Sequence, residues 1–237
     1  MEKIKAKIEC PICKKVHEAE IHSVIDIRKE PEMKDRLMKE DLFGFQCPEC
    51  GFYSDLHYDV LYADPEAKLF IYLSDSPRPS SGGVSEQAQG TDAGGQKEWE
   101  RIREKAAQKA AGCTEEGAVP QDAVFRLVFT LEDMKEKIRI FDHGLDDRIV
   151  EIFKGFSLSQ FDYSENYYVT DIRYDLIDGK EFFRIRVSDG TEQYVLDFNG
   201  GYEQILNEYI EKIPPMRGSV PVCVDLDYAA ALIREGL

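Results

Sequence analysis

The chain has 237 residues, 43% of them hydrophobic and 32% charged, with a formal net charge of −16. That length suffices for one large or two modest domains, and the charge opposes phosphate backbones and anionic membranes unless a local basic patch overrides the field. No apolar run approaches the ~20 residues of a membrane helix, and the opening MEKIKAKIEC is too polar for a signal peptide, so a cytoplasmic location is expected.

The acidity is uneven. Residues 121–237 hold 13 basic against 23 acidic side chains, so most of the excess lies in the C-terminal half. Lys3, Lys5, Lys7, Lys14 and Lys15 come closest to a basic patch, but Glu2 and Glu9 interleave with them.

In chain order, KIKAKIE alternates Ile4, Ala6 and Ile8 with charged residues, the pattern of a half-buried strand. VHEAEIHSVIDI resumes the same period of two. Residues 31–42, opening on Pro31 and carrying Met33, Leu37 and Met38, predict a short amphipathic helix. FYSDLHYDVLY predicts one strand, ADPEAK a turn around Pro65, and LFIYL the returning strand. Residues 74–96 are rich in Ser, Gly, Pro and Gln and predict a flexible linker. Residues 97–111 are strongly helix-forming and stop at Gly112; the thin stripe of Trp99, Ile102 and Ala106 fits either a docked helix or a solvated spacer.

A second ordered region is expected from about Asp122: a strand, then two helices broken at residues 142–144. A meander follows, with Asp-Gly turns at 178–179 and 189–190, the strongest short-range hairpin signal there is. Helices are expected over 202–213, ending at Pro214-Pro215, and over 226–235.

Four of the six cysteines form two copies of one knuckle, CPIC at 10–13 and CPEC at 47–50. In a Cys-x-x-Cys curl both sulfurs face one point, and the following amides stabilise thiolate charge. The proline after Cys10 and after Cys47 fixes φ and preorganises the curl. Gly51 suits the left-handed exit, whereas Lys14 holds the matching place, so that knuckle either carries some strain or is more open. Four thiolates, Cys10, Cys13, Cys47 and Cys50, complete a tetrahedral shell, the arrangement of one closed structural Zn²⁺. The 33 residues between Cys13 and Cys47 exceed the usual ribbon spacing of roughly 15–20. Lengthening such a loop costs only about 0.6 kcal/mol per doubling, small beside metal binding of about 10 kcal/mol or more. Iron in an S₄ site accepts the same geometry. A redox Cys-x-x-Cys would need a depressed thiol pKa near a helix N-terminus, and two matched pairs are redundant for that.

Residues 10–73 closely resemble the CpXC domain family over about a quarter of the chain, through CPIC, PEMKDRLMKEDLFGFQCPECG and LYADPEAKLFIYL in that order. EKIRIFDHGLDDRIVEIFK, at 136–154, is similar more loosely to the region that follows the domain. The resemblance implies the cysteine knuckles as the shared element and brings no substrate or activity with it.

Other groups have plainer readings. Asp142, His143, Asp146, Asp147 and Glu151 fit a metal or acid–base site, but the favoured reading is a polar turn whose acids favour the next helix N-terminus. His17, His22 and His57 lie near the knuckles, whose shell four cysteines already fill. Cys223 reads as a buried apolar residue and Cys113 as an exposed one. No phosphate loop and no nucleophile–base grouping is present.

The expected architecture is α+β. An N-terminal zinc-ribbon-like module (1–76), with antiparallel hairpins and one short helix, precedes a linker and helix (77–120) and an acidic α+β domain with an antiparallel meander (121–237). The expected role is that of a non-enzymatic adaptor or regulator meeting a protein partner. Nucleic acid and membrane are not expected partners. Two alternatives stand beside it: an enzyme using C-terminal carboxylates such as Asp146 and Asp147, and a nucleic-acid-binding ribbon using Lys5, Lys7, Lys14 and Lys15.

Overall fold

A computed structural model describes residues 3–79, 93–159, 168–195 and 198–237. Most of the expected linker, residues 80–92, lies outside the described residues. The chain forms two compact units, Met1–Met134 with Met216–Val222, and Lys135–Pro215 with Cys223–Leu237.

In the first unit, β1 (Lys3–Glu9) and β2 (Val16–His22) pair antiparallel from Lys3 opposite His22 to Glu9 opposite Val16. The period of two places His17, Ala19 and Ile21 on the half-buried face of β2. After Ser23 the chain enters β3 (Val24–Asp26), and α1 (Glu32–Met38) then buries Met33 and Leu37. The short β4 (Gly44–Gln46) and β5 (Tyr53–Asp55) pair antiparallel around the second knuckle. β6 (Val60–Asp64) and β7 (Leu69–Leu73) form the centre of a four-stranded sheet ordered β3-β6-β7-β8, with β8 at Val124–Val128. Their apolar runs are buried on both faces, as central strands flanked by parallel neighbours require.

The parallel pairing of β7 with β8 needs a crossover, and α2 (Ala93–Ala111) lies within it. Trp99, Ile102, Ala106 and Ala110 recur at helical spacing and are all buried, Trp99 to 2% exposure, so the helix is docked and not a spacer. It packs beside β6, and Lys105 pairs with Asp59. Beyond β8, Val222 exchanges backbone hydrogen bonds with Phe125 and Leu127, which brings Met216–Val222 into this unit.

Four expectations change in the first unit. The helix at 31–42 ends at Met38, because Glu40 enters the left-handed region (φ 65°) and Asp41 N–H donates back to the Arg36 carbonyl. The strand at 52–62 splits at residues 56–59, since its first part pairs with β4 and its second with β3 and β7. The strand after Asp122 joins the first unit's sheet, through its pairing with β7. Cys113 is 4% exposed and not on the surface, tucked where α2 ends, with its carbonyl accepting from Arg28.

α3 (Leu131–Asp142) begins in the first unit. The second unit continues with α4 (Asp147–Ser159) and the meander β9 (Val169–Ile177), β10 (Lys180–Val187) and β11 (Glu192–Val195), ordered β11-β10-β9. The β9–β10 turn has positive φ at both Asp178 (50°) and Gly179 (74°), the primed form that matches strand twist. α5 (Phe198–Tyr209) and α6 (Leu226–Arg234) pack against α4. α5 begins four residues before its expected start. Phe198, fully buried among Phe153, Tyr174, Phe183 and Tyr202, anchors a first turn that Gly200 and Gly201 alone would not favour.

Gly201 faces the Phe153 ring so closely that a methyl there would overlap it. Helix propensity alone would make Gly201→Ala stabilising by about 1 kcal/mol. Overpacking opposes it by about 1–3 kcal/mol. The urea midpoint of Gly201→Ala is therefore expected to fall; a rise would show that α5 and α4 pack more loosely than described.

Candidate metal centre

The two knuckles are built alike from the backbone up. In the first, Lys14 N–H donates to the Cys10 carbonyl at 3.0 Å and Cys10 N–H to the Lys15 carbonyl at 2.9 Å. In the second, Gly51 N–H donates to the Cys47 carbonyl at 2.9 Å and Cys47 N–H to the Phe52 carbonyl at 2.8 Å. The exit residues share the left-handed conformation, φ 60° at Lys14 and 73° at Gly51. The knuckle therefore demands that geometry whatever the side chain, and Lys14 adopts it at the strain expected of a residue with a Cβ. Each knuckle sits at the mouth of an antiparallel pair, β1–β2 or β4–β5, so two local hairpins present two thiols each.

The four sulfurs meet. Cys10 Sγ lies 3.6 Å from Cys50 Sγ, and Cys13 Sγ lies 3.6 Å from Cys47 Sγ. All four fall within 4.8 Å of one another. A tetrahedron of sulfurs about 2.3 Å from a central ion has edges of about 3.8 Å. Disulfide bonding needs about 2.05 Å, so these are free thiols gathered round a point. Among the described residues this is the one group of His, Cys, Asp or Glu side chains arranged to hold a metal ion. Beneath it lie Phe45 and, partly buried, Ile8, Ala19, Phe52 and Leu56, while Cys50 is exposed. The site is thus dry on one side and open to solvent on the other.

The electrostatics are those of four like groups sharing one place. The amide of Cys13 donates to the Cys10 sulfur, and with help from the Ile12 amide this draws the Cys10 thiol down to about 6 despite burial. Cys50 receives the Phe52 amide, yet burial and the neighbouring sulfurs of Cys10, Cys47 and Cys13 outweigh it and push that thiol up to about 12. The first thiolate forms readily and the last resists, because each added charge opposes the next. A cation at the centre removes that opposition.

Around the sulfurs, His17 Nε2 lies 3.5 Å from Cys47 Sγ, and its ring leans on Phe45 at 6.1 Å. It is a neighbour of a sulfur, as outer partners of metal ligands commonly are. β-alternation puts His17 on the half-buried face of β2 opposite Ile8, two residues before Cys10, which is the signal that locates it. His22 is buried at the far end of β2, and His57 is exposed after β5; neither joins the cysteine group. Lys15 and Glu49 pair across the two knuckles at 2.6 Å, each drawing the other toward its charged form.

The acids at 142–151 do other work. Asp146 accepts from the Arg148 amide at 3.0 Å and its Nε at 2.9 Å, at the start of α4. Asp147 and Glu151 are buried beside Lys137, at 3.3 and 2.8 Å. Lys154 joins Glu151 at 3.1 Å and Glu136 at 2.6 Å, and Glu136 reaches Arg173 at 3.2 Å. Burial pushes Glu151 up against the pull of Lys137 and Lys154, while those same acids outweigh burial at Lys137 and raise its pKa. Three acids and three bases thus neutralise one another inside the second unit. Sequence reading missed this cluster. Its signal was the one-turn spacing of Asp147, Glu151 and Lys154 on α4, with Glu136 and Lys137 adjacent on α3. Cys113 and Cys223 are buried singly, and burial raises the Cys113 thiol.

Mixed α and β structure carrying two matched Cys-Pro-x-Cys knuckles, with four thiols at metal-binding distance, defines a cysteine-knuckle protein with a candidate S₄ centre. The chain belongs to the CpXC family: the family described as CpXC protein matches residues 8–154, more than half of its length. That span runs from the first knuckle through most of α4, so it takes in the crossover helix and β8 as well as the knuckles. Comparison with curated proteins and with solved structures returned no match.

The two exits give a direct test. A Cβ at Gly51 meets nothing within 4 Å, so the cost of Gly51→Ala is conformational alone, about 1 kcal/mol. Urea unfolding of the metal-loaded protein should show that loss, whereas Lys14→Gly should be neutral or gain up to about 1 kcal/mol. Equal losses from both would mean that the knuckles are not equivalent.

Proposed function

We propose that Cys10, Cys13, Cys47 and Cys50 hold one Zn²⁺ as a closed tetrathiolate, and that the hairpins around it form a zinc-ribbon-like module. The observation that carries this is the gathering of four sulfurs, two from each knuckle, within 4.8 Å, with opposed pairs at 3.6 Å. Zinc suits it because a d¹⁰ ion takes four thiolates tetrahedrally and leaves no open position, which makes the ion's role structural. Binding of about 10 kcal/mol or more exceeds the closure entropy of the intervening loop several-fold.

With a coordinatively closed metal, the protein serves its cell as a non-enzymatic adaptor or regulator that meets other proteins through its surfaces. Supporting this over a carboxylate enzyme, Asp146 is held by Arg148, and Asp147 and Glu151 are buried against Lys137. Supporting it over nucleic-acid binding, Lys5 and Lys15 stand beside Glu18 and Glu49 within a chain of net charge −16. Free thiols gathered for a metal fit the reducing cytoplasm.

Native mass spectrometry of the chain purified without added metal tests the centre. One zinc per chain is expected, lost to a strong chelator and absent from Cys47→Ser/Cys50→Ser. Iron, or no metal at all, would overturn the assignment. The adaptor role predicts a protein that co-purifies from the native host; turnover of a small molecule with no such companion would contradict it.

A further inference from the structure

The two hairpins follow one plan. With Cys10 set on Cys47, Ile8 falls on Phe45 and His17 on Ser54. The pairing keeps that match: Ile8 stands opposite His17 in β1–β2, and Phe45 opposite Ser54 in β4–β5. Directly opposite residues share a face, here the one that covers the cysteine cluster, with Ile8, His17 and Ser54 half-buried and Phe45 buried. The plan asks for an inward-facing residue at this place but not for a histidine, since Ser54 fills it in the twin.

The imidazole is therefore an addition, and it reaches across the centre. His17 belongs to the first hairpin, yet its Nε2 lies 3.5 Å from Sγ of Cys47, in the second knuckle. Phe45 backs the ring, at 6.1 Å between centroids and 38° between planes, and is itself buried beneath the sulfurs. Main-chain amides serve the other three sulfurs: those of Cys13 and Ile12 at Cys10, of Lys15 at Cys13, and of Phe52 at Cys50. The Lys15 ammonium, which feels Cys13 and Cys47, is already engaged by Glu49 at 2.6 Å.

Metal binding fixes the sense of the contact. As a thiol, Cys47 can donate its proton to the ring. As a metal-bound thiolate it has none to give, so the contact is attractive only with a hydrogen on Nε2. A ring protonated at Nδ1 alone would set its Nε2 lone pair against the sulfur's charge. A hydrogen bond to an ionised acceptor is among the strong ones, and this one draws negative charge off a shell of four thiolates. We propose that His17 belongs to the metal centre: its Nε2–H donates to the Cys47 thiolate and so retains the ion more tightly than the four cysteines alone would. It is a positioning residue and not a ligand. Four sulfurs fill a tetrahedral shell and, among the described residues, the group arranged to hold an ion is the four cysteines. The inference rests on the tetrathiolate reading and deepens it, by adding to the cysteines a residue of the opposite hairpin.

Two substitutions separate the donor from the ring. His17→Phe keeps a ring against Phe45 and removes the donor; His17→Gln gives up the ring and returns an N–H at similar reach. On the full chain, zinc affinity is read by competition with a chromogenic chelator, and the sulfur-to-metal charge-transfer band is read after loading with cobalt(II). His17→Phe is expected to bind zinc about tenfold more weakly than the unaltered chain. Its band should move to lower energy, because a sulfur that loses a hydrogen bond gives up an electron more easily. His17→Gln should recover most of both, and Ser54→Ala, at the twin position, should leave affinity within twofold. Thermal melting of each loaded variant shows that the fold is kept. NMR of the unaltered chain loaded with cadmium gives a reading that needs no variant: a His17 Nε2 proton slow to exchange and coupled to the metal through the Cys47 sulfur. Unchanged affinity and band in His17→Phe, a loss shared in full by His17→Gln or by Ser54→Ala, or the lack of a coupled Nε2 proton would overturn the proposal, while one zinc per chain would leave the tetrathiolate standing. A cobalt spectrum of three sulfurs and one nitrogen would overturn both, and so would an unaltered chain that takes up no metal.

Discussion

The front of the first unit depends on four sulfurs meeting at one point across 33 intervening residues. Little else holds that region together. β4 and β5 have three residues each, too few for a hairpin to be stable alone. The buried cluster beneath them contains Cys10, Phe45 and Cys47, so two of its three buried members are candidate ligand cysteines. Brought together without a cation, the sulfurs crowd one another: burial and the neighbouring sulfurs of Cys10, Cys47 and Cys13 push the Cys50 thiol up. The zinc proposed for this centre would relieve that crowding, tie the two hairpins together and take the place of a core.

Behind the knuckles, the four-stranded sheet needs no such device. β6 and β7 are apolar along nearly their whole length, and α2 lays Trp99, Ile102, Ala106 and Ala110 against the unit's core. Area-proportional burial of this kind is the ordinary source of stability. In the second unit the buried charges are balanced by their own kind of closure. Glu136, Asp147 and Glu151 face Lys137, Lys154 and Arg173 within hydrogen-bonding or ion-pair distance. Such networks are worth little net stability when complete, but removing one partner from them costs about 3–5 kcal/mol.

What the sequence made legible was local. The knuckles, the alternation in β1 and β2, the Asp-Gly turn with positive φ at Asp178 and Gly179, and the helix stop at Gly112 each rest on a few neighbouring residues, whereas α5 ends at Tyr209, short of the stop expected at Pro214. What stayed hidden was pairing at a distance. Nothing between Phe52 and Tyr62 announces that the run divides between two sheets, because both halves alternate alike. The thin stripe of α2 reads equally as a spacer until β6 is placed beside it. Phe198 starts α5 through contacts with Tyr174 and Phe183, which overrides the poor propensity of the glycines that follow. Asp147 and Glu151 read as solvent-facing acids until Lys137, ten and fourteen positions earlier, is brought against them. The candidate metal site was readable because its residues come in tight pairs; His17 beside Cys47 was not, because its contact spans 30 residues.

Cobalt(II) titration of the metal-free chain tests the central claim most directly, since cobalt reports the geometry and ligands of a zinc site through its visible spectrum. One equivalent should bring in the intense visible bands of tetrahedral cobalt together with sulfur-to-metal charge transfer, and one equivalent of zinc should abolish both. A weak six-coordinate spectrum, or cobalt uptake that survives replacing Cys47 and Cys50 by serine, would contradict the account.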